Sequence, residues 1–411
     1  MARFSVIEDT NEGIGWVPAR DTPRDYVFVT YSHTTLVHPV EAAFYLAREQ
    51  SVSTYGRLHG ETLDLRERRS AKVVEARPDT IVLAYPVENF RQIGELLVTI
   101  NGNGNFLSIF SRLVVEQIEC PASFLGQFAG PAYGARLLTT FDLSRRPVLL
   151  GVQKPSIGLS PTEHGARTSD AYLGGCDIVK DDEQLYADDP ASPLGERIKV
   201  VGAAIGQVRD LTGRGAMYVF NLENEREMLE HCDLLEAQCR HDDIPRFAIL
   251  LSLMLGVPFI AFVRRHTRLP IFVHGSGFGI YTRGPFGFSP PALAKILRLA
   301  GADCLIAPGP YSRVVECSPE SALRLKAVCD APLGHALPMV LALGGGMRRE
   351  NYWAVRDLMG TNAFIFVVGG GVFGHPDGPR AGAAALANFM ECAAADRPGA
   401  EAGHLAGRAN R

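Results

Sequence analysis

Leu173-Gly174-Gly175-Cys176-Asp177-Ile178-Val179-Lys180-Asp181-Asp182-Glu183 is the stretch from which the rest of the chain can be read. Two glycines lead into a short apolar run that stops at one lysine and three acids. Read as a buried strand, Cys176–Lys180 sends alternate side chains to opposite faces. Lys180 and Asp182 then share a face, Asp181 looks the other way, and Glu183 swings back once the strand has ended. Two carboxylates at a strand's carboxyl end suit a hard divalent cation, which takes oxygen ligands. An ammonium beside them repels a cation unless it is neutralised or converted to an anion. Carbamylation by carbon dioxide does the second and supplies an oxygen, and a buried lysine gives up its proton more readily than most. The same residues also suit a strand that runs into a solvated charged loop.

Outward from this stretch the chain alternates strand, loop and helix. Eight strand candidates follow Pro147: Val148–Val152, Cys176–Lys180, Ala216–Phe220, Ala248–Leu253, Pro270–Val273, Cys304–Ala307, Met339–Leu343 and Phe364–Val368. Helical patterns such as Glu225–Gln238 and Pro290–Leu299 lie between them. The first helix of the barrel, after Val148–Val152, is announced by Ser160-Pro161-Thr162-Glu163, a capping box with proline at the first helical position. Eight such units over about 250 residues is the arithmetic of a (β/α)8 TIM barrel. Upstream, strands over Tyr26–Ser32, Ala71–Glu75, Thr80–Tyr85 and Leu113–Glu119 with helices over Val40–Arg48 and Phe90–Val98 spell βαββαβ, a ferredoxin-like α+β domain. The expected division is 1–130 for that domain, 131–395 for the barrel and 396–411 for a frayed tail, with 1–25 as an irregular arm.

Barrel chemistry gathers at the carboxyl ends of the strands. Lys154 ends the first strand and can move a proton at carbon next to a carbonyl, although a lysine before a turn proline is also ordinary surface. His274 ends the fifth and either packs or shuttles a proton. Glycine triplets follow the seventh strand (Gly344-Gly345-Gly346) and the eighth (Gly369-Gly370-Gly371). Either alone is a tight turn; together, where such barrels hold phosphate, they make a cradle of backbone N–H groups. His375 in Gly374-His375-Pro376-Asp377 reads as a turn former.

The totals are those of an ordinary soluble globular chain. Among 411 residues 46% are hydrophobic and 21% charged, and the net charge of −4 offers nothing to nucleic acid or an anionic membrane. The eight cysteines lack CxxC spacing and read as reduced thiols in a cytoplasmic protein. Phe247–Val263 carries no charge, but Gly256-Val257-Pro258 divides it, so it reads as a strand and a packed helix, not a membrane span.

Gly174–Glu183 resembles the activation motif of the RuBisCO large subunit. The resemblance extends from about Glu41 to Cys392, through Lys154-Pro155, Ile157-Gly158-Leu159-Ser160 and Val368-Gly369-Gly370-Gly371-Val372-Phe373-Gly374-His375-Pro376. It implies Mg²⁺ held by Asp182, Glu183 and a CO₂-derived carbamate on Lys180, with Lys154 and His274 in catalysis. It implies a phosphate at Gly345, Gly346, Gly369 and Gly370. Glu49-Gln50-Ser51-Val52-Ser53-Thr54 and Asn101-Gly102-Asn103 are similar to segments that complete the neighbouring subunit's site, so Glu49, Thr54 and Asn103 imply a homodimer with shared active sites.

The departures point away from carboxylation. Ser156 stands where carboxylating members have a second lysine, Gly275 where they have an arginine and Gly344 where they have a serine. Pro308-Gly309-Pro310-Tyr311-Ser312-Arg313 has no counterpart of the strand-6 histidine or the flexible-loop lysine. The chain is thus identified as resembling the non-carboxylating, RuBisCO-like branch. That implies enolisation or isomerisation of a ketose monophosphate through an enediolate. Decarboxylation or transcarboxylation of a β-keto acid-sugar phosphate is the alternative, and a regulatory protein without turnover a third. Asn103 lies near the place of a lysine base in the enolase branch and cannot serve as one. The carbamate of Lys180, or Lys154, is left for that task.

Overall fold

The computed structural model describes residues 13–15, 26–52, 54, 58–239 and 241–392. The expected irregular arm, apart from 13–15, and the expected tail past 395 lie outside the described residues.

The first domain is built on strands β1 (Tyr26–Thr35), β2 (Lys72–Ala76), β3 (Thr80–Pro86) and β4 (Phe110–Glu119). β1 alternates: Val27, Val29, Tyr31 and His33 are buried and the residues between them less so, the period-2 pattern of a half-covered strand. Helices Pro39–Glu49 and Ile93–Asn101 complete βαββαβ, and the strand order β4-β1-β3-β2 is the ferredoxin-like one.

The second domain is a closed barrel of β5 (Val148–Val152), β6 (Ile178–Lys180), β7 (Met217–Asn221), β8 (Phe247–Ser252), β9 (Ile271–His274), β11 (Cys304–Pro308), β12 (Val340–Gly344) and β13 (Ile365–Val368). All eight pairings are parallel. The expected helix after β5 runs Pro161–Gly174, with the Ser160/Glu163 capping box formed. The uncharged run resolves into β8 and helix Val257–His266. Among the described residues no helix is long and apolar enough to cross a membrane.

The strand between them, β10 (Phe286–Phe288), was not expected. It lies in the barrel half of the chain yet pairs in parallel with β4 at the edge of the first sheet. Ser289 extends the tie, its N–H donating to Val115 O and its hydroxyl to Glu116 O. The loop after barrel strand β9 is thereby fastened to the N-terminal domain.

Side-chain parity positions the site. Val148, Leu150, Val152, Ile178, Met217, Val219, Ala248, Leu250, Phe272, Ile306, Ala342 and Val367 belong to one buried cluster inside the barrel. Leu149, Val179, Tyr218, Ile249 and Val273 belong to the cluster beneath the helices. Continuing the inward parity by two residues at each carboxyl end reaches Lys154, Lys180, Asn221, Ser252, His274, Gly344 and Gly369. At the opposite end Tyr133, Leu137 and Leu138 close the interior, and buried Asp303 accepts the N–H groups of Tyr133, Gly134 and Ile271.

Candidate active site

Lys180 ends β6 inside the mouth and is 1% exposed. Its ammonium donates to Asp181 O at 2.8 Å and to Glu183 Oε2 at 3.3 Å. Burial pushes its pKa down, against the opposing charges of Glu183 and Asp182. Lys154 reaches across from β5 and donates to Asp182 Oδ2 at 2.5 Å and to Ser156 Oγ at 3.0 Å. His274 Nε2 lies 3.5 Å from Glu183 Oε2. The Ser276 N–H donates to His274 Nδ1 at 3.1 Å, which leaves the ring proton on Nε2, facing Glu183. Burial, with the Lys180 charge, holds this imidazole down to about 4, so it is neutral at ordinary pH. Burial by itself would raise the Glu183 carboxyl, but the Lys180 ammonium, which also hydrogen-bonds it, keeps it below its usual range. Five of the residues expected from sequence thus converge on one mouth.

Asp181 turns the other way, as the strand parity requires. It is fully buried and accepts the Tyr218 hydroxyl at 2.6 Å and the Asn221 N–H at 3.1 Å, with Arg197 3.5 Å away. His164 Nε2 sits 2.5 Å from the same hydroxyl. Tyr218 gives its one proton to Asp181, so His164 donates to Tyr218 and keeps Nδ1 unpartnered. Asn221 also donates to Glu183 O and Leu185 O. The turn carrying Asp182 and Glu183 is therefore clamped from behind by β7 and two helices.

Whether this pocket suits a divalent cation is decided by its donor set. Among the described residues no three His, Cys, Asp or Glu side chains gather in ligand positions. Asp182 and Glu183 offer two carboxylates, and a third oxygen has to come from Lys180 as a carbamate. Lys180 is buried, held low in pKa and within 3.3 Å of Glu183. The three fit a hard cation on that condition.

The two glycine triplets differ. Gly345 and Gly346 have φ of 74° and 86°, where glycine is favoured. The loop after β11 lies directly on them: Ser312 Oγ donates to Gly345 O at 2.6 Å, and a Cβ on Gly346 would stand 2.5 Å from that hydroxyl. Gly369 faces Lys154, whose Cε would be 3.8 Å from an added Cβ, and Gly370 opens onto free space. In the first domain Asn103 donates to Glu49 Oε1 at 3.2 Å, so these two come together with each other. Among the described residues no hydrogen bond or ion pair joins either to the barrel mouth. Thr54 is exposed, and its neighbours Ser53 and 55–57 lie outside the described residues. His375 accepts the Asp377 N–H, as a turn former should.

Glu223 was missed by sequence reasoning. It stands two residues beyond β7 and accepts the Ser252 N–H at 2.6 Å and the Ser252 hydroxyl at 3.0 Å. Burial, with some help from the Glu183 charge, raises its carboxyl. A lone acid in Asn221-Leu222-Glu223-Asn224-Glu225 carries no signal by itself. Only the inward parity of Met217, Val219 and Asn221, carried one step further, could have singled it out.

Residues 135–322 match the family described as the ribulose bisphosphate carboxylase large chain, catalytic domain. A ribulose bisphosphate carboxylase-like protein of Allochromatium vinosum is 32% identical, over 89% of this chain and 84% of its own. A 3-oxo-isoapionate-4-phosphate transcarboxylase/hydrolase of Xanthobacter autotrophicus is 33% identical, over 86% and 90%. Among solved structures, a rubisco-like protein from Burkholderia fungorum superposes with a TM-score of 0.78 at 25% identity, over 89% of this chain and 94% of that one. The dimeric archaeal Rubisco of Hyperthermus butylicus gives 0.79 at 26% identity, over 92% of each chain. Sequence likeness across nearly the whole length and the shared two-domain architecture agree: this chain belongs to the RuBisCO superfamily, as a RuBisCO-like protein.

Proposed function

We propose that this protein is a Mg²⁺-dependent enzyme that enolises or isomerises a ketose monophosphate and does not carboxylate it. The observation that carries this reading is the convergence of Lys154, Lys180, Asp182, Glu183 and His274 at one barrel mouth. The carbamate of Lys180 with Asp182 and Glu183 would hold Mg²⁺, which supplies positive charge against the negative charge that develops on a substrate carbonyl during proton removal. Lys154 moves the proton at the substrate's α-carbon, with Ser156 and Asp182 fixing its position. His274 presents an Nε2–H and serves as hydrogen-bond donor to a substrate hydroxyl. Gly369 and Gly370, open beside Lys154, receive the phosphate through backbone N–H groups. Glu49, Thr54 and Asn103 complete the site of a second copy in a homodimer; among the described residues Asn103 bonds Glu49 and no hydrogen bond or ion pair joins either to the mouth of its own chain.

A second reading is transcarboxylation or hydrolytic loss of a carboxyl group from a 3-oxo acid-sugar phosphate, supported by the 33% identity to the Xanthobacter autotrophicus protein. Both share the same first requirement, stabilised negative charge beside a carbonyl. The test is ¹H NMR in D₂O with Mg²⁺ and bicarbonate over a panel of ketose monophosphates and oxo-acid sugar phosphates. Deuterium uptake at the α-carbon without loss of carbon supports the first reading. Release of carbon dioxide or transfer of the carboxyl group supports the second. Neither, across the panel, overturns both.

A further inference from the structure

The barrel order sets what the far end of a substrate meets. Around the ring, β12 stands four strands from β7, and β13 four strands from β8. A molecule seated by its phosphate at Gly369 and Gly370 after β13 and lying over Lys180–Glu183 therefore points its other end toward the end of β8 and its neighbours β7 and β9. Glu223 occupies that side. Its carboxylate is fixed by two donors from Ser252, the last residue of β8, and Ser252 is in register with His274 on β9. Both donors point at Glu223 oxygens, each of which has further acceptor capacity.

We infer that Glu223 is a specificity residue that accepts a hydroxyl from the distal end of the substrate and repels a second phosphate there. This rests on the reading that the glycine turns hold one phosphate. The chemical class selected is a phosphate monoester with a hydroxylated, uncharged far end. A fixed carboxylate and a phosphate in one partly buried mouth repel each other far more than in bulk water, so replacing the charge should change discrimination by about tenfold or more.

The experiment uses the full chain in Mg²⁺ and bicarbonate, with calorimetric titration of ribulose 5-phosphate, ribulose 1,5-bisphosphate and inorganic phosphate. Wild type is expected to bind the monophosphate at least about tenfold more tightly than the bisphosphate, and Glu223→Gln to lose most of that ratio. Ser252→Ala keeps the charge while removing its hydroxyl donor, and is expected to keep the ratio. If Glu223 acted only as a clamp on Ser252, both variants would behave alike, and that result overturns the inference. An unchanged ratio in Glu223→Gln, with inorganic phosphate still bound, also overturns it and leaves the phosphate seat standing. No binding of any phosphate by wild type overturns the seat, and the inference with it.

Discussion

Replacing Asp181 by asparagine tests whether the acid that faces away from the mouth holds the mouth together. Asp181 and Arg197 are both fully enclosed and 3.5 Å apart. Among the described residues Arg197 otherwise reaches only backbone oxygens, those of Tyr186 and Ser192. Asp181→Asn leaves a buried guanidinium without its counter-charge, a change that destabilises by about 3–5 kcal/mol. Tyr218→Phe removes the charge-assisted hydrogen bond to Asp181, of 2.6 Å, and the one its hydroxyl accepts from His164, and should destabilise by about 2–4 kcal/mol. Arg197→Met should resemble Asp181→Asn, and the double variant should lose much less than the two together, because neither charge is then stranded. Urea titrations of wild type and the four variants read these differences as midpoint shifts. Since Asp182 and Glu183 hang from the same turn, Mg²⁺ affinity measured by calorimetry should fall in Asp181→Asn even at urea-free, fully folded conditions. A wild-type urea midpoint in Asp181→Asn, or strict additivity in the double variant, would refute the clamp.

Three more outcomes follow from the same contacts. Lys154→Met takes an ammonium off Asp182 Oδ2, so α-proton exchange should drop by at least about a hundredfold while Mg²⁺ affinity holds or rises. Gly370→Ala introduces a methyl into open space. Its thermal midpoint should match wild type, while inorganic phosphate should bind about tenfold more weakly if the backbone there cradles an anion. His164 is held below the usual histidine value by burial. The folded chain then binds fewer protons there than the unfolded chain, so this stability is complete above pH of about 6.5 and is lost as pH falls below it. His164→Asn should flatten the dependence of the urea midpoint on pH between 8 and 5.5.

The barrel was legible because each of its strands is a short apolar run between glycine, proline or charge, and because inward parity carries straight from Ile178 to Lys180 and from Phe272 to His274. The capping box at Ser160 marked a helix start to the residue for the same local reason. Phe286–Phe288 escaped because three residues have no period to display, and its partner Leu113–Val115 lies far back in the chain. Helix Leu63–Arg69 escaped because Leu-Asp-Leu-Arg-Glu-Arg-Arg is too short for an apolar stripe. In the site, Lys180, Asp182 and Glu183 were found by adjacency in sequence. Glu223 became visible only through its hydrogen bonds to Ser252, and the role of Asp181 only through Tyr218, Arg197 and His164. Those partners come from other strands and helices, a kind of proximity that spacing along one segment does not encode.

The most direct test of the whole account is ¹³C NMR of the protein in ¹³C-bicarbonate, with and without Mg²⁺. The expected result is a lysine carbamate resonance that Mg²⁺ strengthens in wild type and that Lys180→Met lacks. A spectrum without that resonance at saturating bicarbonate and Mg²⁺, or one that survives in Lys180→Met, would contradict it.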